Sequence, residues 1–284
     1  MSASPFDPAN LPAEAEIALN FVIETENYFL EAHVFDKDKI FVTFESAQPR
    51  GPRPDKYRSG WGSETMRKRR ISTLCIKPKI ADWYLRADLA EVLTRLRPWL
   101  AEFGRVIAYG GSMGGFGALN YADTMGATDV VAMNPQTAMN PATVPWETRF
   151  AAAPRQDFVG PYGDARENFL NTPRVLIFVD RHFPPDWAHV TRLVPGSYRV
   201  INVPYLQHGL PPGLAKLGLL SWLIETIAAD RFTEAEFYRR IRVRRQSPRY
   251  ARALYQLTAG HPRRHAVVRA NLKPPRRGVT LDEE

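Results

Sequence analysis

The stretch Val106 to Gly117 reads V-I-A-Y-G-G-S-M-G-G-F-G: an apolar run enters Gly110-Gly111-Ser112-Met113-Gly114 and continues as a small-residue segment. Arg105 to Tyr109 has the composition of a buried strand, and Phe116 to Ala122 that of a closely packed helix. A serine at the apex of so tight a strand-to-helix turn is lifted clear of the backbone, and glycines two before and two after it let strand and helix approach. Gly110 and Gly114 stand at those positions. Ser112 is therefore the candidate nucleophile. The N–H of Met113, at the start of the helix where amides lack partners, is the candidate first oxyanion donor. G-x-S-x-G alone is a weak pattern, equally compatible with a glycine-rich turn carrying an incidental serine. Phosphate cradling is disfavoured, because the run lacks the G-x-G-x-x-G register and no G-K-[ST] follows.

Around this turn the chain has 284 residues, 44% of them hydrophobic, enough for one α/β domain plus an appendage. No apolar run is long enough to span a bilayer, and Met1 to Pro12 has neither a basic start nor an apolar core, so no secretory signal is read. The single cysteine, Cys75, lies in an apolar run and reads as a small core residue in a reducing compartment; the expectation is a cytoplasmic protein. The net charge of +8 suggests an anionic partner at first. From Arg231 onward, however, 14 Lys+Arg against five Asp+Glu carry +9, which leaves the preceding residues at −1. The basicity belongs to the tail.

In order, residues 1–14 form a Pro/Ala/Ser-rich lead-in, and 15–229 carry the strand and helix alternation. Ile17 to Ile23, Tyr28 to Phe35 and Lys39 to Phe44 read as three early strands, the first two antiparallel. Glu45 to Arg70, dense in Gly, Pro and basic residues, reads as a loop leaving the third strand. Either this is a solvated loop with no catalytic duty or Ser46 or Ala47 at its start is the second oxyanion donor, with Tyr57 and Trp61 as candidates for an entrance. Ile71 to Ile76 is a strand, Trp83 to Phe103 a helix that Pro98 kinks or shortens, and Asp129 to Met133 a strand after the elbow helix. Residues 137–170 hold four prolines and read as a small cap, with Trp146, Phe150, Phe158 and Tyr162 either facing substrate or packing the cap down. The β-α-β alternation implies a mostly parallel sheet flanked by helices, with right-handed crossovers.

Two later strands supply partners for Ser112. Arg174 to Val179 ends at Asp180, and Tyr198 to Tyr205 ends before the loop Leu206-Gln207-His208-Gly209, which precedes a helix from about Leu214 to Ala228. His208 is the candidate base. Asp180, at the strand end, is the preferred acid to orient it. Asp186 competes, although it also reads as the N-cap of a helix reaching about Val194. His182 and His189 read as structural or exposed.

The G-G-S-M-G-G elbow with Asp180 and His208 in that order resembles the α/β-hydrolase superfamily over about residues 15–229. A narrower similarity is to bacterial serine hydrolases associated with surface-polysaccharide or glycoprotein export, carried by Pro135-Gln136 after the strand and by Asp186 and His189 at a helix start. An HGGG-type oxyanion loop, common in lipases, is lacking. The resemblance implies a Ser112, His208, Asp180 triad cleaving an ester or related acyl bond in a small-molecule or glycan-linked substrate, with water or another acceptor releasing the acyl group. That chemistry requires no cofactor or metal. Two other readings stay open, an acyltransferase and a non-catalytic binding protein on the same fold.

The tail, 230–284, reads as two or three short helices broken near Ser247-Pro248 and Gly260-His261-Pro262. Its run Arg239, Arg240, Arg242, Arg244 and Arg245 reads either as a solvated helical face or as a dock for nucleic acid, phospholipid or acidic glycan.

Overall fold

The computed structural model describes residues 20–47, 58–150, 153 and 158–271. The lead-in, Tyr57, much of the 45–70 loop and the end of the tail lie outside those residues.

Eight strands form one sheet: β1 (Asn20–Glu24), β2 (Tyr28–His33), β3 (Ile40–Phe44), β4 (Ser72–Pro78), β5 (Val106–Gly111), β6 (Asp129–Met133), β7 (Arg174–Val179) and β8 (Arg199–Asn202). Their spatial order is β1-β2-β4-β3-β5-β6-β7-β8. β1 and β2 are antiparallel, β2 runs antiparallel to β4, and every pairing from β4 across to β8 is parallel. The central parallel strands β3, β4, β5 and β6 are continuous runs of buried residues because both faces are covered.

Alternation decides which face each side chain serves. Ile40, Val42, Phe44, Val106 and Ala108 pack with helices α2 (Ala87–Leu100), α3 (Met113–Asn120) and α4 (Ala122–Met125). Phe41, Ile107, Tyr109, Val131 and Phe178 pack on the opposite face with α1 (Ser63–Lys68) and the later helices α6 (Leu210–Lys216), α7 (Leu220–Ala228) and α8 (Glu234–Arg240). Helix α5 (Pro184–Thr191) follows β7. The first tail helix belongs to this second core: Phe237 is fully buried against Phe178, with ring centroids 5.4 Å apart. A 3₁₀ segment (Ile241–Gln246), α9 (Pro248–Thr258) and α10 (Pro262–Asn271) complete the extension, with breaks at Ser247 and at Gly260-His261.

Several boundaries differ from the periodicity. The helix expected from Trp83 begins at Ala87, because Trp83 and Tyr84 adopt positive φ of 53° and 59° in a turn that buries both. Pro98 sits inside α2 without ending it. The helix expected from Leu214 is two helices, parted by a turn with Gly218 at φ 70°. Trp61 stacks on Tyr109 at 4.5 Å, packing beneath the elbow strand. Cys75 is buried, and burial pushes its thiol up to about 11, which makes it inert. Among the described residues no helix is long and apolar enough to cross a membrane.

Candidate active site

The carboxyl ends of the parallel strands line up the candidate residues. Gly110 pairs with Phe44 and Gly111 with Met133, and the N–H of Ser112 continues the ladder by donating to the Met133 carbonyl at 2.9 Å. Ser112 sits at φ 54°, ψ −123°, a strained conformation for a residue with a Cβ, held because the flanking glycines admit no alternative packing. A Cβ at Gly110 would lie 2.0 Å from the Gly114 carbonyl oxygen, and one at Gly114 would lie 2.2 Å from that of Phe44. Strand, turn and helix are thus in backbone contact, and the Ser112 side chain points away from them.

Its hydroxyl lies 2.9 Å from His208 Nε2. His208 Nδ1 faces a carboxylate at 2.8 and 2.9 Å, and that carboxylate belongs to Asp186. With Nδ1–H donating to Asp186, Nε2 is left to accept the serine proton.

The preference for Asp180 is therefore corrected. Asp180 is fully buried and accepts the backbone N–H of His182 and of Gln207, each at 2.9 Å. It ties the turn after β7 to the loop that carries His208, without touching the imidazole. Burial raises its carboxyl above the ordinary value, with those two amides opposing. The reason lies in the turn. Pro184 and Pro185 open α5, with Phe183 as its N-cap, so Asp186 is the third helical residue and is turned back toward the strand ends instead of capping the helix.

Asp186 does not act in isolation. Arg149 Nη1 donates to its Oδ1 at 2.8 Å, and the same guanidinium is gripped by Glu147. Glu147 also takes a hydrogen bond from His189 Nε2 at 3.1 Å, and His189 Nδ1 accepts the N–H of Thr137 at 3.2 Å. Burial opposes the Glu147 charge, but His189 and Arg149 outweigh it and hold the carboxyl at about 2. Burial likewise disfavours the Arg149 charge, and Glu147 and Asp186 overcome it, raising the guanidinium above its ordinary value. Residues of the 137–170 segment thus brace the carboxylate behind His208. Sequence reading passed over Glu147 and Arg149, since neither carries a motif.

Gln136, three residues beyond β6, has a fully buried side chain whose Nε2 donates to Ser112 Oγ at 3.0 Å. Ser46 does reach the elbow, but its hydroxyl donates to the Gly111 carbonyl at 2.8 Å, so only its backbone N–H remains for an oxyanion. Of the four aromatics, Phe150 lies against His208, ring centroids 5.6 Å apart. Tyr162 stacks on Tyr121 at 4.5 Å and Phe158 packs on Trp83 and Phe116, both holding the segment down. Trp146 meets His189 edge-on and stays partly exposed.

No family model matches the chain, and none of the curated proteins does. Solved structures do. An esterase/lipase from an uncultured bacterium has a TM-score of 0.51 at 15% identity, covering 75% of this chain and 84% of its own. A thermophilic esterase of Thermogutta terrifontis, butyrate bound, has a TM-score of 0.50 at 16% identity over 77% of this chain and 97% of its own. The fluorophosphonate-binding serine hydrolase F of Staphylococcus aureus gives 0.50 at 10% identity over 75% and 96%. At such identities the likeness speaks for the fold alone.

Proposed function

We propose that this chain, whose fold is that of the α/β-hydrolases, is a serine hydrolase that cleaves a carboxylic ester or related acyl bond through an acyl-enzyme. The observation that carries the reading is the continuous relay Ser112 Oγ, His208 Nε2, His208 Nδ1, Asp186, assembled on a strained elbow at the carboxyl edge of the sheet. Ser112 attacks the carbonyl carbon while His208 takes its proton, and Asp186 holds the imidazole in the required tautomer. The oxyanion falls to the N–H of Met113 and to the backbone N–H of Ser46, with the Gln136 amide close enough to join them. His208 then returns the proton to the departing alcohol, and water releases the acyl group by the same route in reverse. A binding protein on this fold has no use for strain at Ser112. Hydrolysis of p-nitrophenyl acetate decides between them: wild type turns over, and Ser112→Ala loses about 10⁴-fold or more in kcat. Equal turnover by both proteins would refute the assignment.

A further inference from the structure

The basic extension reaches the candidate site. Between Phe237 and Thr280 the sequence contains 13 Lys+Arg and not one Asp or Glu, so its cations cannot be neutralised from within. Most project from the 3₁₀ segment, α9 and α10, and this part of the chain docks on the loop that carries His208. Tyr250 meets Tyr205 edge-on at 5.5 Å, and Tyr205 precedes His208 by three residues. The Arg249 guanidinium lies closer still. It rests on Gly209, the residue after His208, so tightly that a Cβ there would fall 2.1 Å from Arg249 Nη1.

Arg249 differs from the arginines nearer the start of the tail. Arg239 and Arg240 pair with Glu236, and the neighbouring acids Asp230 and Glu234 pair with Arg174 and Arg199 of the sheet. Among the described residues no carboxylate pairs with Arg249; the residue as a whole is exposed, while its guanidinium lies against Gly209. Burial of the guanidinium against the loop, then the like charge of Arg252, push it below its ordinary value, and no acidic neighbour offsets them. A cation held in place without a carboxylate partner keeps its hydrogen-bond donors available for an anionic ligand.

The direction of the reaction says which part of a substrate lies there. Nε2 of His208 returns the proton to the departing oxygen, so the alcohol portion of the ester leaves on the His208 side of Ser112, and Arg249 lies against the residue that follows His208. We propose that Arg249 is a specificity residue that selects esters whose alcohol portion carries an anionic group, a carboxylate or a phosphate. This rests on the serine hydrolase reading above and adds the substrate's charge to it.

Three acetate esters with the same acyl group test it: 4-acetoxybenzamide, neutral; 4-acetoxybenzoate; and 4-acetoxyphenyl phosphate. The two charged esters distinguish a carboxylate from a phosphate preference. For the wild type, kcat/KM for at least one charged ester exceeds that for the amide by about tenfold, mostly through KM, and added salt shrinks the ratio. Arg249→Gln brings the ratio close to one, Arg249→Lys keeps part of it, and Arg242→Gln, elsewhere on the tail, keeps it whole. A wild type that hydrolyses all three esters equally, or a preference that survives Arg249→Gln, overturns the anion subsite while leaving the hydrolase reading in place. Failure to hydrolyse any of them, together with no labelling by a fluorophosphonate, overturns both.

Discussion

Asp180 and Asp186 are six residues apart, and the structure gives them different work. Asp186 faces His208 Nδ1, so Asp186→Asn is expected to lower kcat about 10³- to 10⁴-fold by misorienting the imidazole, with a modest change in melting temperature. Asp180 accepts two backbone amides in a fully buried setting. Asp180→Asn turns an NH₂ against one of them, and is expected to cost about 1–3 kcal/mol of stability while sparing far more of kcat. Kinetics and denaturant midpoints on the same two proteins separate these roles; a larger loss of kcat in Asp180→Asn would reverse them. Arg149 braces Asp186, so Arg149→Met is expected to reduce kcat about tenfold and Arg149→Lys less, read from steady-state rates. The sequence put both aspartates after β7, where an acid belongs, but the geometry of the intervening turn chose between them. Pro184-Pro185 was the signal that could have decided it, since prolines mark the first helical turn and place Asp186 inside the helix. Nothing comparable announces Arg149 and Glu147, whose meaning comes only from contacts made across the fold.

Elements were legible where one physical cause dominated. Strands buried on both faces, β5, β6 and β7, read directly as apolar runs, and the elbow read from its glycines. Periodicity overreached at Trp83, where two buried aromatics sit in a left-handed turn, and across Leu214 to Ala228, where a turn at Gly218 parts two helices whose apolar residues keep the helical spacing. The glycines of the elbow carry a prediction at this scale. Gly114→Ala would set a methyl 2.2 Å from the Phe44 carbonyl, a clash with backbone that cannot yield, and is expected to prevent folding or to cost several kcal/mol, about 3 or more. Gly160→Ala meets nothing within 4 Å and pays only for its positive φ, about 1 kcal/mol. Soluble yield and thermal melts of the two variants check the contrast; a well-folded Gly114→Ala would show that the elbow is looser than described.

Over the whole molecule, stability and chemistry depend on groups far apart in the chain. Asp82 is fully buried, takes a hydrogen bond from the Tyr28 hydroxyl at 2.5 Å, and ties β2 to the turn before α2. Burial raises its carboxyl from 3.8 to about 6, against the hydrogen bonds from Tyr28 and Tyr84. The folded state therefore keeps a proton that the unfolded chain releases near pH 4. The contribution of Asp82 is greatest below that value and falls as pH rises through about 6. Asp82→Asn removes the dependence, so its urea midpoint is expected to gain on that of the wild type between pH 4 and 7; a constant difference would argue against a buried, protonated Asp82. The tail is part of the same body, because Phe237 fills the core beside Phe178. Its basic charge was plain in the sequence, but its place beside His208 was not, since that depends on how α9 packs back on the loop after β8. The proposed chemistry depends throughout on Ser112 being a nucleophile activated by His208. Labelling with a fluorophosphonate, followed by mass mapping of the modified peptide, tests this most directly. One adduct on Ser112 in the wild type, none in Ser112→Ala and slow labelling in His208→Ala are predicted, whereas an adduct that persists in Ser112→Ala, or an unreactive wild type, would contradict the account.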